Sequence, residues 1–142
     1  MRVGDVMTRD VETASLDMNM VEVANRMREF DIGILPVVSE NAVVGVITDR
    51  DVTLRGIRQG ITPEEIVVRD VMSPGVMWCY EDDVLTDAAK TMEDNRLRRL
   101  IVLDGRRRLA GLLSLDDLAA RMSSDRLLGT VLRNITELGR IV

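Results

Sequence analysis

The chain carries one unit written twice. A shift of 65 residues lays Val3 on Val68, Asp5-Val6-Met7 on Asp70-Val71-Met72, Val11 on Val76, and Asp17 on Asp82. The same shift pairs Ala24 with Ala89, Met27 with Met92 and Val37 with Val102. One extra residue in the turn Asp104-Gly105-Arg106-Arg107-Arg108 raises the shift to 66, after which Gly45 meets Gly111, Thr48 meets Ser114 and Asp51 meets Asp117. Self-similarity in a fixed order constrains a fold more than any local signal, because both copies must satisfy the same architecture.

Each copy reads alike. A short helical turn at Asp5-Val6-Met7 leads to an extended segment near Val11-Glu12-Thr13. Asp17 or Asn19 is placed to cap a helix whose apolar positions Met20, Val23, Ala24 and Met27 fall at helical spacing. Gly33 is expected to end that helix, and Ile34-Leu35-Pro36-Val37-Val38 predicts a short β-branched strand. Ser39-Glu40-Asn41 turns the chain into a second strand, Val43 to Ile47, and the helix after Thr48 carries Val52, Leu54 and Ile57 toward Gly60.

Thr62-Pro63-Glu64-Glu65 has the start signals of a short helix. In the second copy, Val76 to Tyr80 reads as extended, Val84 to Asn95 and Asp116 to Met122 as helical. Leu100 to Leu103 and Leu109 to Leu113 read as strands. Strands this continuously apolar predict a small sheet covered by helices. A last stripe, Leu127, Leu128, Val131, Leu132, Ile135 and Leu138, either packs back on its own domain or makes a dimer contact. Its other face, with Arg126, Arg133 and Glu137, is only mildly basic, which disfavours a membrane-surface role.

Composition narrows the chemistry. With no histidine and the single cysteine Cys79, most zinc sites, Ser-His-Asp triads, Cys-His dyads and any internal disulfide are excluded. A net charge of −5 and 2% aromatic residues argue against nucleic acid as a partner. No apolar run approaches a membrane span, and Met1-Arg2-Val3-Gly4-Asp5 lacks the apolar core of a signal peptide, so a cytoplasmic location is expected. Met7, Met27, Met72 and Met92 recur in both copies and are assigned to the core, as is Cys79; Trp78 and Tyr80 either line a purine pocket or fill the core between the copies, and packing is the favoured reading. Arg106-Arg107-Arg108 is expected on an exposed turn.

The candidate site is the pair Thr48-Asp49-Arg50-Asp51 and Ser114-Leu115-Asp116-Asp117. A hydroxyl followed three residues later by an acid is first of all a helix capping box. The same groups suit a sugar-phosphate: helix-start N–H groups and a hydroxyl toward phosphate, and an ionised aspartate accepting from both ribose hydroxyls. Ile34, Pro36 and Ile47 are placed to flank a purine.

The duplicated order of an Asp-Val-Met segment, a helix, a strand, a glycine-led strand and a hydroxyl-x-x-Asp motif resembles a tandem pair of cystathionine-β-synthase (CBS) domains, a Bateman module. Thr48-Asp49-Arg50-Asp51 and Leu35-Pro36-Val37-Val38 are particularly similar to small stand-alone bacterial members. The resemblance implies an α/β fold of two β-α-β-β-α repeats, packed sheet to sheet with pseudo-twofold symmetry, plus a C-terminal helix. It places repeat 1 at 1–60, a linker at 61–67, repeat 2 at 68–123 and the helix at 124–142. It also implies clefts for AMP, ADP, ATP or S-adenosylmethionine and a homodimer.

Carried over residue by residue, Thr48, Asp51 and Arg50 mark one ribose-phosphate site and Ser114 and Asp117 the other. Arg98 and Arg99 are expected to reach phosphate from the neighbouring copy. In the second copy Ile101 stands where the first has Pro36, and Asp116 where it has Arg50, so the first site is expected to be the better one. The expected function is non-enzymatic: a nucleotide sensor signalling to a separate effector protein, with no required cofactor and no metal. The alternatives are an interaction module with empty clefts, and a carboxylate- and metal-dependent enzyme using Asp49, Asp51, Asp116 and Asp117.

Overall fold

The structure, a computed structural model, describes residues 1–121 and 125–136, the side chains of 125–128 and 136 excepted. The fold is mixed α/β, with two small sheets and six α-helices among the described residues. In chain order these are α1 (Met20–Phe30), β1 (Ile34–Ser39), β2 (Ala42–Thr48), α2 (Asp49–Arg55) and α3 (Val68–Val71). Then follow β3 (Trp78–Tyr80), α4 (Leu85–Asn95), β4 (Arg99–Leu103), β5 (Leu109–Ser114), α5 (Leu115–Arg121) and α6 (Asp125–Thr136). Single 3₁₀ turns occupy Val3–Asp5 and Pro63–Glu65.

The duplication persists in three dimensions. Asn19 caps α1 by accepting from the Glu22 N–H at 2.9 Å, whereas Asp17 pairs with Arg69 at 2.8 Å. The matched helices α1 and α4 do not end on glycine: α1 closes on Asp31 and α4 on Arg96, matched positions with φ of 51° and 56°. Gly33 therefore lies beyond the helix end rather than forming it, because an acid and a base here tolerate the left-handed conformation. Helix α2 stops at Arg55 and is capped by Gly56, short of Gly60. Leu54, within that helix, and Ile57, beyond it, are 63% and 68% exposed instead of joining a core stripe.

Contacts divide the chain into two compact units, Val11–Val76 and Met1–Asp10 with Met77–Val142. In Val11–Val76, β1 and β2 pair antiparallel, and Ala14 adds one parallel bridge to Val37. In the other unit β3 lies parallel to β4, which pairs antiparallel with β5. Ala14 and Cys79 are matched positions, so the third strand of one sheet survives as a single bridge in the other. The expected extension at Val11-Glu12-Thr13 forms no strand of its own.

The units do not coincide with the sequence repeats at 1–60 and 68–123, because each repeat's opening segment serves the other. Arg2 bridges Val84 and Thr8 bridges Leu112, while the matched Val67 bridges Asn19 and Ser73 bridges Val46. The exchange explains the glycine that leads each second strand. A Cβ on Gly45 would stand 2.8 Å from the Ser73 carbonyl oxygen, and one on Gly111 would stand 2.5 Å from that of Thr8. Only a residue without a side chain lets the opening segment lie this close.

One core gathers Ala14, Met20, Val23, Leu35, Val37, Ile47 and Val68. The other gathers Val3, Met92, Leu100, Leu113, Leu118, Val131 and Ile135. Val131 and Ile135 are thus buried in their own unit, where α6 packs on α4 and α5. Met122, Glu137 and Leu138, and the side chains of Arg126, Leu127 and Leu128, lie outside the described residues. Met7, Met27 and Met92 are buried and Met72 packs against its core, as expected.

Trp78 and Tyr80 are exposed rather than core, at 44% and 36%. On the edge strand β3 alternate residues face opposite ways, and Cys79 takes the inward place. The Arg107 guanidinium covers the Trp78 ring at 5.6 Å, confirming an exposed arginine turn. Burial, and secondarily Asp83, pushes the Cys79 thiol up to about 12. Iodoacetamide at about pH 8 is expected to leave Cys79 unmodified in the folded protein and to alkylate it in denaturant, read by mass spectrometry. Rapid labelling without denaturant would refute this.

Candidate functional site

The two strand-to-helix turns are built the same way. Asp49 N–H donates to the Gly33 carbonyl at 3.0 Å, and the matched Leu115 N–H donates to the Arg98 carbonyl at 3.1 Å. These bonds fasten each short helix to the start of the preceding hairpin. Both hydroxyl-acid pairs are full capping boxes. Thr48 N–H donates to Asp51 Oδ2 at 3.0 Å and Asp51 N–H to Thr48 Oγ1 at 3.1 Å. Ser114 N–H donates to Asp117 Oδ2 at 2.8 Å and Asp117 N–H to Ser114 Oγ at 3.1 Å. Each hydroxyl uses a lone pair for the cap, which leaves its proton able to donate outward.

The two turns differ around that shared frame. In the second copy Arg98, Arg99, Ser114, Leu115 and Asp116 line a cavity of about 150 Å³. Arg98 and Arg99, expected to serve the neighbouring copy, thus stand beside their own copy's serine. Asp116, which replaces the arginine of the first copy, lines the same cavity, so its lining carries residues of both charge signs. Asp117 is half-buried, and among the described residues its carboxylate accepts only from the Ser114 backbone N–H.

In the first copy Gly33 and Ile34 occupy the positions of Arg98 and Arg99. A Cβ on Gly33 would stand 2.9 Å from Asp49 Oδ2, so a side chain at 33 would require the exposed Asp49 carboxylate to swing aside. Arg50 is exposed, and its N–H is held by Asp49 Oδ1 at 2.8 Å. Asp51 is buried and its carboxylate is engaged by Arg55 and Ser73. The sequence reading missed both residues; only the recurrence of arginine at 55 and 121 hinted at them.

Of the apolar residues placed against a purine, Ile34 is half-buried at the edge of β1. Pro36 is buried, and its carbonyl accepts from Ala14 N–H at 2.9 Å. Ile47 is corrected: it is 0% exposed in the core, because period-two alternation along β2 turns Gly45 and Ile47 inward. It offers no surface to a ligand. Among the described residues no three His, Cys, Asp or Glu side chains cluster to hold a metal ion. No described helix is long and apolar enough to cross a membrane.

The family model for the CBS domain matches residues 3–56 and again 68–124. An uncharacterized protein of Methanopyrus kandleri, MK0525, is 38% identical over 117 residues, which cover 82% of this chain and 60% of that protein. The CBS domain-containing protein YhcV of Bacillus subtilis is 34% identical over 134 residues, 94% of each chain. Among solved structures, the cytosolic domain of the Mg2+ channel MgtE in complex with ATP superimposes with a TM-score of 0.73 at 25% identity. That match covers 85% of this chain and 48% of that one. The CBS domain pair of protein MJ0100, in complex with methylthioadenosine and S-adenosyl-L-methionine, gives a TM-score of 0.72 at 24% identity over 84% and 94% of the two chains; that likeness concerns the fold.

Proposed function

This chain belongs to the CBS domain family, with two copies of the domain in tandem, and from that premise we propose that it is a non-enzymatic regulatory module for an adenine nucleotide or related adenosyl compound. The observation that carries the reading is the second-copy cavity, where two arginines and a capping serine converge within reach of a half-buried aspartate. Guanidinium groups suit phosphate oxygens, the serine proton suits a ribose or phosphate oxygen, and the open side of Asp117 suits a ribose diol. Thr48, Asp51, Arg50, Ile34 and Pro36 form the matching candidate set in the first copy. The ATP held by the MgtE domain and the adenosyl ligands held by the MJ0100 pair support the choice of ligand class. Exposed Leu54 and Ile57 supply apolar area for a homodimer, and the response passes to a separate effector protein in the cytoplasm.

Binding acts on a partner only through different affinity for two arrangements of the module. Isothermal titration with AMP, ADP, ATP and S-adenosylmethionine tests the reading. Ser114→Ala combined with Asp117→Ala is expected to weaken binding by roughly a hundredfold or more, since each bond to a charged group contributes about 1.5–3 kcal/mol. The lost cap costs the fold about 1 kcal/mol, so the variant stays folded. Binding of equal strength in this variant would reject the assigned site.

A further inference from the structure

We propose that Arg55 is an internal competitor for the first copy's ligand: with Ser73 it fills the acceptor positions of Asp51, so the second copy is occupied first. This rests on the nucleotide-binding reading above. An ionised carboxylate offers about four acceptor positions, and a ribose diol requires two of them. On Asp51 one is taken by Thr48 N–H and one by Arg55 Nη2, and the Ser73 hydroxyl lies 3.2 Å from Oδ1 and 3.3 Å from Oδ2. Asp51 is 8% exposed although the Arg55 side chain is half exposed, so the carboxylate end of the pair is the part shielded from solvent. A ligand must therefore displace a charge-assisted bond before it gains its own.

The second copy has the same residue types without the lock. Thr8 and Arg121 stand where the first has Ser73 and Arg55, and neither bonds Asp117 among the described residues. The chain thus pairs a ready acceptor with an occupied one, although their motifs match.

Arg55 also reports on its own displacement. Its Nε donates to the Val71 carbonyl at 3.1 Å and its Nη2 to Ser73 Oγ at 2.9 Å. Both partners lie at the end of α3, on the segment that carries the chain out of the Val11–Val76 unit. A ligand that captures Asp51 releases that segment from α2, which converts occupancy into a change of backbone restraint.

Titration calorimetry with ATP on wild type, Arg55→Met and Ser73→Ala tests the proposal, with circular dichroism melts confirming that each variant is folded. Wild type is expected to take up one ATP per chain tightly, and Asp51→Ala to leave that event intact. Arg55→Met is expected to strengthen a second event by roughly tenfold or more, and Ser73→Ala, which keeps the arginine, to strengthen it less. Two equal events in wild type, or no gain in either variant, overturn the proposal while leaving the nucleotide reading in place. Weaker ATP binding in Arg55→Met would make Arg55 a ligand contact and overturn it as well. No ATP bound by any of the proteins, with AMP, ADP and S-adenosylmethionine also inert, defeats both.

Discussion

Gly111→Ala is expected to cost the fold about 2–3 kcal/mol, the upper part of the range for forcing atoms into a packed interior. The added methyl would meet the Thr8 carbonyl oxygen at 2.5 Å and the Met7 sulfur at 2.9 Å. The methionine can swing aside; the backbone carbonyl cannot. Thr8 and Leu112 exchange two backbone hydrogen bonds, at 2.9 and 3.0 Å, so backing the carbonyl away sacrifices them. Gly45→Ala meets the Ser73 carbonyl at the looser 2.8 Å and is expected to cost about 1–2 kcal/mol. Urea denaturation midpoints read both. A Gly111→Ala loss under about 0.5 kcal/mol, the scale of an ordinary surface change, would show that the opening segment does not lie where it is described.

Ile47→Ala is expected to cost about 2–4 kcal/mol, because it removes methylenes from a side chain with no solvent contact and leaves a cavity among Leu35, Val37 and Val23. Its neighbour Thr48 faces the other way, and Thr48→Ala costs only the cap, about 1 kcal/mol. The contrast between adjacent residues is the test, read by the same denaturation. Ile47→Ala and Thr48→Ala of equal, small cost would mean that β2 does not present Ile47 to the core.

Features set by neighbours in sequence were legible. The capping boxes at Thr48–Asp51 and Ser114–Asp117 formed as their spacing implies, because a three-residue separation closes both hydrogen bonds without outside help. The hairpin strands, the Asn19 cap and the recurring core methionines were equally local or periodic signals. What depended on distant partners was not legible. Pairing Thr8 with Leu112, or Arg55 with Ser73, joins residues that no periodicity connects. For that reason the first copy read as the better site. Its arginine at 50 is visible in the motif, whereas the pair at 98 and 99, assigned from sequence to the neighbouring copy, lines a cavity beside its own copy's serine. The exposure of Trp78 and Tyr80 was hidden for a related reason: a three-residue edge strand is too short for alternation to reveal its inner face.

The exchange of opening segments bears on how such a gene can change. Neither half is a self-sufficient inheritance, since the first ten residues complete the architecture of the later half, and residues just past the midpoint complete that of the earlier one. A recombination event that replaced one half at the apparent repeat boundary would import a sheet without its closing piece. To be tolerated it would have to carry a short stretch from the opposite end of the reading frame as well. Duplication made the halves alike; this reciprocal lending keeps them together while their binding chemistry diverges.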